Sequence, residues 1–293
     1  MHASRPRKDR IGYLLMRLDQ ACNVSRHTYS SARCVEGQRL AYYRSKPDAA
    51  FWDTHWRTYL DPKTYGKAEC GHLWQFEEVF TAHLPKKGRI LEAGCGLGQY
   101  VLALRVRGYD VEGVEWAPET VEAVRTRYPD LPIRIGDVTE LEVPDGYYSG
   151  YISLGVVEHL QKGPEPFLRE AYRVLEPGGV ALISVPYCNA LRRFKARLGL
   201  YGQRIQGMEF YQYAFTRAEF ISILWSAGFN VFGNMVYDIP KGMRDEITVL
   251  RWVFRVRGIG WRLQHLLQSW AWAKRDLGHM ILFVCGKPPK VKA

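Results

Sequence analysis

The stretch that most constrains what this chain can fold into is Arg89–Gln99, RILEAGCGLGQ. Ile90 and Leu91 read as the end of a buried strand, and Glu92 comes directly after them. Gly94, Gly96 and Gly98 then alternate with Cys95 and Leu97, ahead of an apolar-periodic helix over Tyr100–Arg107. Glycines at this spacing permit a sharp strand-to-helix turn and let a ligand approach the backbone with no Cβ in the way. The N–H groups at the start of the helix face whatever is bound there. The spacing departs from the dinucleotide fingerprint G-x-G-x-x-G, because the third glycine arrives one residue early at Gly98 and Gln99 stands in the dinucleotide position. An ordinary Gly-rich strand-to-helix turn is the simpler alternative for this stretch taken alone.

Beyond the Gly loop, strand and helix signals alternate, which argues for βαβ units and a parallel sheet. Strands are expected at Arg89–Ala93, Asp110–Glu115, Ile133–Gly136, Gly150–Leu154 and Val180–Pro186, with helices at Tyr100–Arg107, Pro118–Tyr128 and Pro164–Val174. Thr216 and Glu219 form a capping box for a helix over Arg217–Ala227, ended by Gly228. Phe229–Tyr237 and His279–Cys285 read as two last strands. Residues 1–84 are aromatic-rich and read as a helical N-terminal cap leaning over the Gly loop, including an amphipathic helix over Ile11–Ala21. Residues 85–293 then form the main domain, with helical insertions at 187–213 and 238–278.

Glu92 ahead of G-x-G-x-G, together with FLREAYRVLEPGGVALISVP after the fourth strand, resembles the class I S-adenosylmethionine (SAM)-dependent methyltransferases of small molecules. The resemblance is strong over Gly88–Tyr187 and looser over Gln212–Phe232. It implies a doubly wound, seven-stranded mixed sheet with the last strand antiparallel, and a Gly loop holding the methionine part of SAM. The cofactor set it implies is Glu92, Gly94, Gly96, Gly98, Glu115, Trp116, Asp137, Val138 and Leu154. Glu115 ends the second strand 21 positions after Gly94, placed to accept hydrogen bonds from both ribose hydroxyls. Trp116 would flank adenine, and Asp137 would face the adenine amino group beside the Val138 backbone.

Chemistry at the acceptor is less constrained. Some class I members with E-x-x-E-H after the fourth strand are thought to place a metal there. Here Gly155 replaces the first Glu, leaving Glu158 and His159 without a third ligand, and no metal is expected. His159 is the candidate general base, since an imidazole near neutrality suits deprotonating a hydroxyl as the methyl arrives. Glu158 and His159 shaping the loop is the alternative. Ser153-Leu154-Gly155-Val156 is unlike the Asn-Pro-Pro-Tyr motif of enzymes that methylate exocyclic base nitrogens. Tyr187, Asn189, Arg192, Tyr211 and Tyr213 flank the end of the fifth strand and are candidates to line an acceptor site, because open α/β sheets bind ligands at strand carboxyl ends.

The net charge of +11 is concentrated at the ends: residues 1–47 hold ten Lys/Arg against Asp9, Asp19 and Glu36, and residues 241–293 hold eleven against Asp245, Glu246 and Asp276. Such segments attract phosphates on nucleic acid, lipid headgroups or metabolites. The Trp- and Arg-rich 238–278 insertion, with Trp252, Phe254, Trp261, Trp270 and Trp272, would suit an anionic bilayer surface, or would pack on the sheet. Six scattered cysteines, the absence of a signal-peptide-like N-terminus and the absence of any spanning apolar run predict a reduced, cytoplasmic and at most membrane-peripheral protein. The function expected is methyl transfer to oxygen of a small-molecule, lipid-like or glycan acceptor. An RNA methyltransferase and a non-catalytic scaffold of the same fold are the alternatives.

Overall fold

The computed structural model describes residues 32–44, 48–58, 62–202, 205–253, 262, 266 and 270–290. The helix expected at Ile11–Ala21, and Phe254 and Trp261 of the second insertion, lie outside them. The chain opens with an antiparallel hairpin, β1 (Ala32–Glu36) and β2 (Arg39–Arg44). Its two-residue turn begins with Gly37 at φ +61°, the left-handed backbone such a turn favours. This corrects the expectation of a wholly helical N-terminal cap; Gly37-Gln38 between alternating residues is the hairpin signal. Helices come next: α1 (Ala49–Arg57), α2 (Pro62–Glu69) and, after a short 3-10 turn, α3 (Glu77–His83).

The main sheet is built from β3 (Arg89–Ala93), α4 (Gln99–Val106), β4 (Asp110–Glu115), α5 (Pro118–Arg127), β5 (Ile133–Ile135), β6 (Tyr148–Leu154), α6 (Glu165–Val174) and β7 (Leu175–Pro186). The insertion after β7 supplies α7 (Ala190–Arg197) and β8 (Glu209–Ala214), and β8 leaves the main sheet to pair with β2 as the third strand of the small sheet. α8 (Arg217–Ser226) and β9 (Asn230–Tyr237) return to the main sheet. The second insertion then carries α9 (Ile239–Arg244), α10 (Thr248–Val253) and α11 (Ala271–Asp276), and β10 (Met280–Gly286) closes the fold.

The seven strands lie in the order β5-β4-β3-β6-β7-β10-β9, parallel from β5 to β7, with β10 antiparallel to both neighbours. The sheet is thus mixed and seven-stranded, as the resemblance implies. Period-2 alternation sends Leu91, Tyr151 and Ile183 to one face, against Leu168 of α6 and Phe220 and Leu224 of α8. Ile90, Ile152 and Leu182 go to the other, against Phe80 of α3, Val101 and Leu104 of α4 and Val121 of α5. Both faces are covered, so the strands read as near-continuous apolar runs. Val249, Trp252, Trp270 and Trp272 in the second insertion are exposed rather than packed on the sheet.

Candidate functional site

The Gly loop is shaped by its lack of side chains. Gly94 and Gly98 take φ of +73° and +66°; a Cβ on Gly94 would come within 2.4 Å of Val156, and one on Gly98 within 2.2 Å of Ile133. Gly98 opens α4, so its turn fixes where that helix starts. Across the loop, Glu115 at the end of β4 accepts hydrogen bonds from Gly96 N (2.7 Å), Trp116 N (2.9 Å) and Ala117 N (3.0 Å). Burial raises the Glu115 carboxyl above the usual range, opposed by those three donors. Glu115 therefore braces the loop while facing the cavity beside it.

That cavity, of about 350 Å³, sits at the carboxyl ends of the parallel strands. Gly94, Glu115, Trp116, Asp137 and Val138 line one side, and Tyr211, His159, Trp52 and Trp56 line the other. Trp116 is 53% exposed, leaving its indole free to stack. Asp137 Oδ1 accepts from Thr139 N (2.8 Å) and Thr139 Oγ1 (2.7 Å), which fixes the turn after β5. Gly96 and Gly98 form the turn beneath. Glu92 is buried behind it, with Oε2 unpartnered and its carboxyl pushed up to about 8 by burial. Leu154 packs into the core below the rim, and Gly155 takes the wall position expected of it.

His159 Nδ1 lies 2.7 Å from the Tyr211 carbonyl oxygen, so Nδ1–H donates and Nε2 is left as the acceptor nitrogen. The ring is held edge-on by Trp52 at 4.9 Å and by Tyr211 at 5.0 Å. Burial lowers its pKa to about 4 against the pull of the Tyr211 and Gly155 carbonyls, so it is neutral at pH 7. Glu158 is buried beside it, its carboxyl pushed up to about 8, also by burial, and its Oε1 3.8 Å from His159 Nε2. Among the described residues no group of three His, Cys, Asp or Glu side chains is placed to hold a metal ion.

Four of the five expected acceptor residues are elsewhere. Asn189 is buried and caps α7, accepting from Arg192 N (2.9 Å) and donating to the Gly278 carbonyl (2.9 Å). Arg192 is buried with every guanidinium nitrogen engaged, by Glu246 Oε1 (3.1 Å), the Tyr187 carbonyl (2.7 Å) and His279 Nδ1 (2.9 Å). Burial alone would raise Glu246, yet Arg33, Tyr201, Lys195 and Arg192 hold it down at about 2. A buried charge needs such partners, so this cluster is architecture rather than a grip on substrate. Tyr187 is buried beneath the Arg217 guanidinium and does not line the cavity.

Tyr211 and Tyr213 would share one face in a regular strand, yet only Tyr211 reaches the cavity. Tyr42 pairs with Gln212 and Tyr43 with Phe210, leaving Tyr211 as the bulged residue of β8. The bulge turns Tyr211 toward Trp52 and His159, while Tyr213 donates to Glu36 and Gln161 on the far side. Trp52 and Trp56 are wall residues that the sequence shows only as two among the many aromatics of the N-terminal cap. Their i, i+4 spacing in α1 was the available signal.

A methyltransferase-domain family model matches residues 91–183. A protein of Mycolicibacterium smegmatis, named as a probable SAM-dependent methyltransferase, is 38% identical over 124 residues, which is 41% of this chain and 48% of that protein. Malonyl-[acyl-carrier protein] O-methyltransferase of Serratia marcescens is 32% identical over 41% of this chain and 45% of its own length. The chain thus spans about half the length of these curated relatives. A SAM-dependent methyltransferase structure from Methanosarcina mazei matches with a TM-score of 0.51 at 16% identity, covering 72% of this chain and 98% of that one, a likeness of fold. The Gly loop, the sheet order and these matches agree: residues 91–183 of this chain form a methyltransferase domain of the S-adenosylmethionine-dependent type.

Proposed function

We propose that the chain transfers a methyl group from SAM to an oxygen of a small, lipid-like or glycan acceptor. The observation that carries this is the cavity itself, which brings the Gly loop, Glu115 and Asp137 together with a neutral imidazole across an aromatic wall. The residues present suit the cofactor. Gly94 brings backbone without a side chain to the cavity wall, Glu92 keeps an unpartnered carboxyl oxygen behind the loop, and Glu115 retains acceptor capacity beyond its three backbone donors. When bound, SAM supplies the activated methyl, and the protein's task is alignment of the nucleophile. In this reading Glu115 holds the ribose, Trp116 and Val138 flank adenine, and Asp137 meets its amino group. His159 Nε2 accepts the acceptor hydroxyl's proton while Nδ1 stays tied to Tyr211. Trp52, Trp56 and Tyr211 exclude water around the transfer.

Titration with S-adenosylhomocysteine tests the cofactor site. The wild type is expected to bind, and Glu115→Ala and Asp137→Ala to bind at least about tenfold more weakly, the loss of one or two charge-assisted hydrogen bonds. Absence of binding, or variants that bind as the wild type does, would overturn the assignment. Labelled SAM offered with hydroxylated small molecules, lipids, glycans and RNA then identifies the acceptor class.

A further inference from the structure

A second groove, of about 650 Å³, lies between the β1–β2 turn, α7 and the start of α8. It shares no lining residue with the cofactor cavity. The small core between them presents Leu40, Cys188 and Ala196 to the groove, and Tyr211 and Trp52 to the cavity. Four arginines line the groove, Arg39, Arg193, Arg197 and Arg217, against the single carboxylate of Asp276.

Two of the charges around it are already compensated. Arg39 Nε meets Glu219 Oε1 at 2.7 Å, and Asp276 Oδ2 meets Arg275 Nε at 2.8 Å. Arg193 and Arg197, one helical turn apart, make no ion pair among the described residues. Among the described residues Arg217 donates only to the Arg275 carbonyl (2.9 Å), and its buried Nε has no partner there. Three guanidinium groups thus line the groove without a carboxylate bound to them, the Asp276 carboxylate being taken by Arg275, an arrangement that a phosphate relieves through bidentate hydrogen bonds.

The helix that carries two of these arginines also shows what the phosphate is attached to. α7 divides into three stripes. Arg192 and Lys195 turn inward to Glu246, and Arg193, Ala196 and Arg197 face the groove. Phe194 and Leu198, i and i+4, face outward, each 58% exposed, and Leu200 beyond them is 56% exposed. A cationic groove edged by exposed apolar side chains on one short helix matches a lipid, with a charged headgroup beside an apolar interior. A free phosphate metabolite would have no use for the outer stripe.

We propose that the groove between α7 and α8 binds the phosphate of an anionic membrane lipid, with Phe194 and Leu198 entering the apolar edge of the bilayer. The contact is peripheral, since no helix among the described residues is long and apolar enough to cross a membrane. It is separate from the methyl-transfer reading and stands or falls without it.

Co-sedimentation of the full chain with phosphatidylglycerol/phosphatidylcholine vesicles, beside phosphatidylcholine alone, tests this. Binding is expected to require phosphatidylglycerol and to weaken about thirtyfold in Arg193→Gln/Arg197→Gln, each basic residue near an anionic surface contributing about fivefold. Phe194→Ser/Leu198→Ser is expected to weaken it as well, with thermal melts of both variants matching the wild type. Vesicle binding unchanged in the arginine variant would place the attraction on the basic ends of the chain and overturn the proposal. So would equal binding to neutral vesicles, or binding of inorganic phosphate by a protein that ignores vesicles.

Discussion

His159 shows how much one residue's role depends on which atom is free. Its Nδ1 is tied to the Tyr211 carbonyl, a bond that orients the ring, and its Nε2 is the nitrogen outside that bond, which the proposed mechanism uses as the proton acceptor. Asparagine places an amide N–H near the Nδ1 position and nothing near Nε2, so His159→Asn separates the two functions. The expected outcome is a folded protein with S-adenosylhomocysteine affinity intact and turnover lowered about 10²- to 10⁴-fold, the usual worth of a positioned general base. Turnover equal to wild type would assign the imidazole to shaping the loop. Arg192 is the contrasting case. Its place after the fifth strand makes it a candidate to line an acceptor site, but the chain uses its charge against Glu246 in the interior. Sequence cannot separate these uses, because the decisive partner is 54 residues away.

At the scale of elements, α1 is the piece that brings Trp52 and Trp56 to the cavity wall. It is fastened by Asp53, whose Oδ1 accepts from Thr120 N and Thr120 Oγ1, both at 2.9 Å. Thr120 lies in the first turn of α5, a helix whose own N-cap residue, Ala117, offers no side-chain acceptor. Asp53 thus caps α5 from another element. Asp53→Ala is expected to cost about 1–2 kcal/mol in chemical denaturation, in the range of a lost cap. It should also release Trp52 and Trp56 toward solvent, read as a shift in tryptophan emission, and Asp53→Asn should recover most of both. The strands and helices from Arg89 to Val174 were legible in the sequence to within a few residues, since each buries a periodic face. So were the Gly loop, Glu115 and Asp137, which sit where a strand ends. The small sheet and its consequences were not. β8 pairs with a strand more than 160 residues earlier, and a one-residue bulge decides that Tyr211 enters the cavity and Tyr213 does not.

For the whole molecule, buried titratable groups set where in pH the fold is most stable. Glu92 and Glu158 keep their protons in the folded state up to about pH 8, against 4.5 when unfolded. The folded state therefore binds more protons than the unfolded one between those values, and each group lowers stability as pH rises through that window. His159, lowered to about 4, and His279, also lowered by burial, act in the opposite sense: the unfolded state binds their protons first, so stability falls as pH drops below 6.5. Between pH 4.5 and 6.5 the histidines oppose the carboxyls. From pH 6.5 to 8 only the carboxyls titrate, costing together about 4 kcal/mol at roughly 1.4 kcal/mol per unit per group. That corresponds to a fall in Tm of roughly 10 °C for a chain of this size. Glu92→Gln cannot ionise, so calorimetry is expected to show about half the wild-type slope above pH 6.5 and a higher Tm than wild type at pH 8.5. A wild-type Tm that stays constant from pH 6.5 to 8.5 would mean that Glu92 and Glu158 are ionised in the fold, and the buried carboxyl behind the Gly loop would then already carry its charge before any ligand arrives.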